Sequence, residues 1–451
     1  MAQGVQKNGQ RYTAGLEKSE EATSQHDDTA PTTETIPSII EPTANAPIDA
    51  DIPPDGGYAW VVCGAISMIN GFTWGIAASY GVYISQYLAT DYFPGATPLD
   101  YALIGGLEFG VAMVISPICT ILTRDVGRFW IMSAGCVMFA GGYIAASFAK
   151  EIWQLYLTQG VLVGLGLGCV FIPSVQKRSL AGGIASAGSG FSGLAFSLGT
   201  NAMIEQISLG WALRMTGILC LVGNFCGTCL VRDRNKMVKP PQMGFAVHLL
   251  KRYDCLLLIG WAFINLFGYM TVLYSLSNYA VQVGGLTQSQ ASVLTAILNL
   301  GTGVGRPALG VISDHCGRTQ TAAVVTLLNA AFIFAFWIPA TSYGFLIFYA
   351  LIAGATVGIY WMTVGPLCAE VAGLAEVPSF PSIQWLTAVL PTTFAEVIAL
   401  YLRRPAKGRW DYLYTQLFAA IAFLVASLCL FELWRIKANR GELTRSRWHK
   451  R

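Results

Sequence analysis

From Tyr58 to Trp434 the chain is a succession of apolar runs, each about twenty residues long and parted from the next by a short polar break. A run of that length, wound as a helix, matches the hydrocarbon thickness of a bilayer. A strand of a membrane barrel would instead alternate polar and apolar residues over roughly ten. Inside lipid every backbone N–H and C=O must find its partner within the chain, so continuous runs of this kind imply helices. Composition agrees: 54% of the residues are hydrophobic and 12% charged, against about 25% charged in a soluble protein. The net charge of +3 says little, because the placement of charge outweighs its sum in a membrane chain. Most of the eleven cysteines fall inside apolar runs and read as small packing residues.

The expected class is therefore an all-α polytopic membrane protein with about twelve spanning helices. They are expected over 58–84, 100–123, 129–149, 152–174, 180–201, 211–231, 253–280, 288–312, 320–339, 343–367, 380–402 and 411–434. Residues 1–54, rich in Thr, Ala, Glu, Asp and Pro, cannot supply a core and read as a disordered cytoplasmic tail without a cleavable signal. A six-helix bundle over 55–231, a central cytoplasmic loop over 232–252, a second six-helix bundle over 253–434 and a basic cytoplasmic tail over 435–451 complete the expected organisation.

Orientation follows from the basic residues. Breaks on the tail side carry Arg124, Arg128, Lys177, Arg178, Arg232, Arg234, Lys236, Lys239, Lys251, Arg252 and Arg318, and the C-terminal tail adds seven more. The other side holds Lys150 and the cluster Arg403, Arg404, Lys407 and Arg409, which runs against the trend. The positive-inside rule places both termini in the cytoplasm. The expected location is the plasma membrane, with the lipid bilayer and a small-molecule substrate as partners and protons as a possible third.

The chain also repeats itself. Arg124-Asp125-Val126-Gly127-Arg128 follows the second expected helix, and Asp314-His315-Cys316-Gly317-Arg318 follows the eighth, with Arg128 and Arg318 separated by 190 residues. Two related halves are expected to hold a substrate site at their interface near mid-membrane. The stretch Gly310-Val311-Ile312-Ser313-Asp314-His315-Cys316-Gly317-Arg318 resembles the Gly-x-x-x-Asp-x-x-Gly-Arg loop of the major facilitator superfamily. That resemblance implies a gating role for Asp314, Gly317, Arg318, Gly127 and Arg128, the glycines permitting the turn and the charges bonding at helix ends. A plain surface turn is the alternative. In the first copy Arg124 stands where the motif has Asp.

A closer resemblance opens the first helix. Pro53-Pro54-Asp55-Gly56-Gly57-Tyr58-Ala59-Trp60 is similar to the Asp-Gly-Gly-aromatic-small-Trp signature of the monocarboxylate porter family, a branch of that superfamily. Asp55 can cap the helix, and Tyr58 and Trp60 suit the membrane interface. Lys177-Arg178-Ser179-Leu180-Ala181-Gly182-Gly183-Ile184-Ala185-Ser186-Ala187-Gly188-Ser189, at the start of the fifth helix, is similar to the family's second signature. The link between Pro173 and Lys177 is shorter than in that family.

Arg306 lies inside the eighth expected helix with Asn299 and Thr302 before it. An arginine at bilayer depth is costly unless it faces a cavity or a partner, so it is read as a substrate group, or alternatively as a partner of helix carbonyls. In lactate-carrying relatives an Arg at this place meets the substrate carboxylate, while an Asp one turn earlier and a Lys in the first helix serve proton coupling. Here Thr302 and Ala78 stand near those two positions, so the resemblance implies anion binding without the proton–lactate mechanism. Glu108 and Glu396 are the candidate proton-coupling acids, with static ion pairs as the alternative. Tyr274, Tyr360 and Trp361 are candidate walls of an aromatic pocket, or simply packing residues.

The expected activity is transport of a small organic compound, anionic or aromatic, by alternating access. Fungal members of the family export secondary metabolites, and the acidic tail resembles theirs, so efflux of such a metabolite is the leading reading. Proton-coupled uptake of a monocarboxylate or riboflavin-like nutrient is one alternative, and a non-transporting nutrient sensor on a carrier fold is another. No enzyme is expected: the four histidines, His26, His248, His315 and His449, lie in breaks or tails and cannot build an intramembrane metal cluster. No cofactor and no nucleic acid contact are expected.

Overall fold

The polar breaks of the sequence become helix caps and turns. The computed structural model describes residues 58–90, 92–174, 179–231, 247–373 and 380–441. Asp55, Gly56, Gly57, Lys177 and Arg178, the N-terminal tail, most of the central loop and the end of the C-terminal tail lie outside these residues. Among the described residues there is no strand. Twelve long helical stretches follow one another: α1 over 58–90, α2 over 98–125, α3 Arg128–Ala146, α4 Ile152–Ser174, α5 Ser179–Gln206 and α6 Leu209–Leu230. Then come α7 Tyr253–Gln282, α8 Gln288–Cys316, α9 Arg318–Trp337, α10 Tyr343–Ala372, α11 Phe380–Tyr401 and α12 Leu413–Asn439.

Their starts are set by local chemistry. Thr97 and Asp100 form a capping box at α2 with Pro98 in the first turn, and Thr287 and Gln290 form another at α8. The repeated loop closes in the same way twice, since Gly127 and Gly317 both adopt φ 102° between consecutive helices. A side chain is strained in that region, which is why glycine recurs there.

Nine described helices are long and apolar enough to span a bilayer, and α2 makes a tenth if its two pieces, bent by 44° at Ile115, count as one span. The other two, α5 and α8, are long enough at 28 and 29 residues but are diluted by Gly, Ser and Thr. Their position explains the dilution. α5 lies along α8 so closely that a Cβ at Gly190 would meet the Gly303 backbone N at 2.2 Å. Lipid offers no hydrophobic drive between helices, so close packing of small residues holds such a seam. A second contact between the halves joins α2 to α11, where a Cβ at Gly106 would lie 2.2 Å from the Thr393 carbonyl oxygen. The outer faces carry large apolar side chains, with Trp130 67%, Val137 64% and Tyr401 80% exposed, and these require lipid rather than water.

Several of the basic residues are paired rather than free. At the end of the second half that bears the repeated loop, Arg252 and Arg440 both reach Asp254, at 2.8 and 3.3 Å, and Lys437 pairs with Glu370. At the opposite end Arg403 pairs with Asp411 at 2.8 Å and lies over the Tyr412 ring. Part of the cluster that runs against the charge trend is thereby neutralised.

Candidate functional site

A cavity of about 80 Å3 lies between the two halves, room for roughly six waters at 10–15 Å3 each. From the first half come Asn70 and Trp74 of α1, Phe109 of α2, Phe171 of α4, and Ser186 and Ser189 of α5. The second half contributes Tyr269 of α7, Asn299, Thr302 and Arg306 of α8, Trp361 of α10 and Trp385 of α11.

Arg306 is the charge of this cavity. Its Nη1 donates to the Ser189 hydroxyl at 2.8 Å and to the Ser186 carbonyl at 3.1 Å, while its Nε, although buried, has no hydrogen-bond acceptor among the described residues. The guanidinium rests against Gly358, where α10 breaks: a Cβ there would meet Nε at 2.9 Å. Among the described residues no carboxylate pairs with it. A buried charge without a counter-ion costs several kcal/mol, and hydrogen bonds to neutral groups offset only part of that.

The rest of the lining is largely aromatic. Trp361 and Trp385 stack with centroids 5.9 Å apart and planes 17° off parallel, and Trp74 tilts over Trp361 at 5.3 Å. The site can therefore hold a negative group at one corner and an apolar or planar body against the indoles. Asn299 donates to Ser197 at 3.5 Å across the seam, and the Thr302 hydroxyl bonds the Leu298 and Gly354 carbonyls, each at 3.1 Å. Thr302 thus faces the cavity with its hydroxyl already engaged.

Not every expected residue reaches this wall. Tyr274 and Tyr360 stand one layer behind it: Tyr274 packs edge-on to Phe109 and Tyr80, and Tyr360 packs on Trp361 and Trp385. Glu108 is fully buried on the far side of α2, within the first half, where Tyr143 donates to it at 3.5 Å. Its second carboxylate oxygen has no partner among the described residues. Glu396 accepts from the Ser275 hydroxyl at 2.9 Å, and the nearby Arg403 is directed to Asp411 instead. In the repeated loops Asp314 and Arg318 approach to 3.7 Å, Arg124 pairs with its neighbour Asp125 at 2.7 Å, and Arg128 reaches the Val231 carbonyl at 3.5 Å. Of the first signature, Tyr58 donates to the Leu230 carbonyl at 2.7 Å, tying α1 to the end of α6, and Trp60 is 63% exposed.

Ser186, Ser189, Tyr269, Trp74 and Trp385 were missed as site residues. The two serines stand three apart on one face of the glycine-rich fifth helix, and that spacing is the signal that could have found them. Nothing in the sequence singles out the three aromatics from the other rings of the chain.

Comparison with known proteins agrees with this architecture. The profile of the Major Facilitator Superfamily matches residues 62–380. "Probable transporter MCH2" of Saccharomyces cerevisiae is 32% identical over 413 residues, covering 88% of this chain and 87% of that protein. "Fujikurins efflux protein" of Gibberella fujikuroi is 28% identical over 83% of this chain and 82% of its own length. "Monocarboxylate transporter 3" of Rattus norvegicus is 30% identical over 79% of this chain and 75% of its own length. With an all-helical membrane fold, a loop repeated in both halves and a cavity between them, this chain belongs to the major facilitator superfamily as a monocarboxylate-porter-like transporter.

Proposed function

We propose that this transporter exports a small organic anion with an apolar or aromatic body, a fungal secondary metabolite by class. The buried guanidinium of Arg306 carries the proposal, because its charge faces the cavity with no carboxylate beside it among the described residues. A carboxylate or similar anion supplies the missing counter-charge, and the stacked Trp361 and Trp385 receive the body. The similarity to the Fujikurins efflux protein supports export. Thr302 and Ala78 on the cavity wall support a cycle different from proton–lactate symport, since neither side chain can exchange a proton with cargo.

In this reading the halves 55–231 and 253–434 rock against each other along the α5–α8 and α2–α11 seams, exposing Arg306 to each side in turn. Loops with Gly127, Arg128, Asp314, Gly317 and Arg318 gate the cytoplasmic end, both termini are cytoplasmic, and the membrane is the plasma membrane. Glu108 and Glu396 bind the driving protons, each buried in a different half. The test is an untargeted comparison of cells with and without the gene. Organic acids with aromatic or apolar bodies accumulate in the medium of the expressing cells. A difference confined to cations or sugars, or no difference in export, would overturn the reading.

A further inference from the structure

We propose that the end of the first half opposite the repeated loop binds one glycerophospholipid, with its phosphodiester on Arg214 and an acyl chain in the groove between α3 and α4. The site lies far from the cavity and does not depend on what the cavity carries.

Arg214 is placed like no other described cation of the first half. It lies five residues into α6, which begins at Leu209, a depth of about 7.5 Å along the helix at 1.5 Å per residue. From that depth a long arginine side chain can snorkel back to the phosphate layer of a bilayer. Its Nε donates to the Ser147 hydroxyl at 3.0 Å. The guanidinium carbon lies 4.4 Å from the Phe148 ring centroid and 5.2 Å from that of Trp211. Two rings and one hydrogen bond hold the plane in place, while the Nη groups have no acceptor among the described residues. No described carboxylate pairs with this arginine. Glu151, at the start of α4, accepts from the indole N–H of Trp153 and makes no ion pair with Arg214 among the described residues.

A guanidinium fixed by its Nε edge presents its remaining donors as a fork, the geometry that suits two oxygens of a phosphodiester. Cation–π contact with two rings holds the group without neutralising it. A groove between the end of α3 and the start of α4 adjoins the same Phe148. Phe148, Ala149, Trp153 and Leu157 line it with Gln154 and Thr158. Phe148 is 63% exposed and Trp153 and Leu157 each 54%, so the groove opens on the lipid-facing surface and suits an acyl chain. A soluble anion would use the arginine but leave this apolar groove unfilled. The shared Phe148 makes cation and groove one site, and a lipid is the molecule that has both parts.

The test uses the purified full-length chain in detergent, with palmitoyl-oleoyl-phosphatidylglycerol as the probe. Native mass spectrometry should show one retained lipid for the wild type. R214Q should weaken retention at least about tenfold, the loss expected for one charge-assisted contact. R409Q is the control: Arg409 also stands beside an indole, 5.4 Å from Trp410, but at another corner of the molecule. It should retain lipid as the wild type does. L157Q should weaken retention through the groove alone. Wild-type melting supplies a readout independent of any variant: the phospholipid should raise the melting temperature, whereas diacylglycerol and inorganic phosphate should not. Undiminished retention by R214Q, or equal stabilisation by diacylglycerol or phosphate, would overturn the proposal.

Discussion

Gly358 is the most informative position to perturb, because its substitution tests the place of Arg306 without touching Arg306. α10 breaks there with φ −80° and ψ 12°, a backbone with negative φ that alanine can hold. An added Cβ would lie 2.9 Å from Nε, 3.0 Å from Nη2 and 3.4 Å from Cζ of Arg306. The guanidinium must withdraw by several tenths of an ångström. Its Nη1 bonds of 2.8 Å to Ser189 and 3.1 Å to Ser186 depend on the present position. Losing the equivalent of one charge-assisted hydrogen bond costs about 1.5–3 kcal/mol, a weakening of roughly 10- to 150-fold in cargo binding. Alanine at a compatible φ/ψ also restricts the unfolded chain, a gain of about 0.4–1 kcal/mol over glycine that helps spare folding. Half-saturation of counterflow in proteoliposomes, measured with an acid identified by the export comparison, reads the effect. Gly358→Ala with wild-type half-saturation and rate for that acid would refute the placement of Arg306 at the cargo.

Three further outcomes follow from the packing. Gly190→Val forces atoms into the Gly303 backbone, 2.2 Å from the added Cβ, and should remove the monodisperse peak in size-exclusion chromatography; a normal peak would show that the α5–α8 seam can part without cost. Gly127→Ala and Gly317→Ala each place a side chain at φ 102°, a strain of about 1–3 kcal/mol that should lower the melting temperature. At 317 the new Cβ also meets Gln320 at 2.2 Å, so Gln320→Ala should partly rescue Gly317→Ala and leave Gly127→Ala unchanged. Glu108→Gln should abolish accumulation driven by a pH gradient while exchange continues, and normal accumulation in that variant would remove Glu108 from proton coupling.

Helix lengths and the repeated glycine turn were legible in the sequence because each is set locally: apolar run length fixes the span, and a required positive φ fixes Gly127 and Gly317. Arg306 was legible for a different reason, since a charge at that depth demands an explanation. Its partners were not. Ser186 and Ser189 are 120 and 117 residues away, and each residue turns a helix by about 100°, so small errors in rotation exchange a cavity residue for a packing one. Tyr274 and Tyr360 show this, each one layer behind rings that do line the cavity. Glu108 shows it again: its neighbour Phe109 faces the cavity while the carboxylate turns inward to Tyr143. Hydropathy alone also understates α5 and α8, because helices that pack this closely are built from small and hydroxylated residues rather than bulky apolar ones.

Whether Arg306 binds an anionic cargo between two moving halves is tested most directly by counterflow with purified wild type and Arg306→Ala in proteoliposomes. The wild type should exchange monocarboxylates with aromatic or apolar bodies, and Arg306→Ala should lose that exchange while keeping its monodisperse profile. Exchange of these acids at the wild-type rate by Arg306→Ala would show that Arg306 does not hold the cargo.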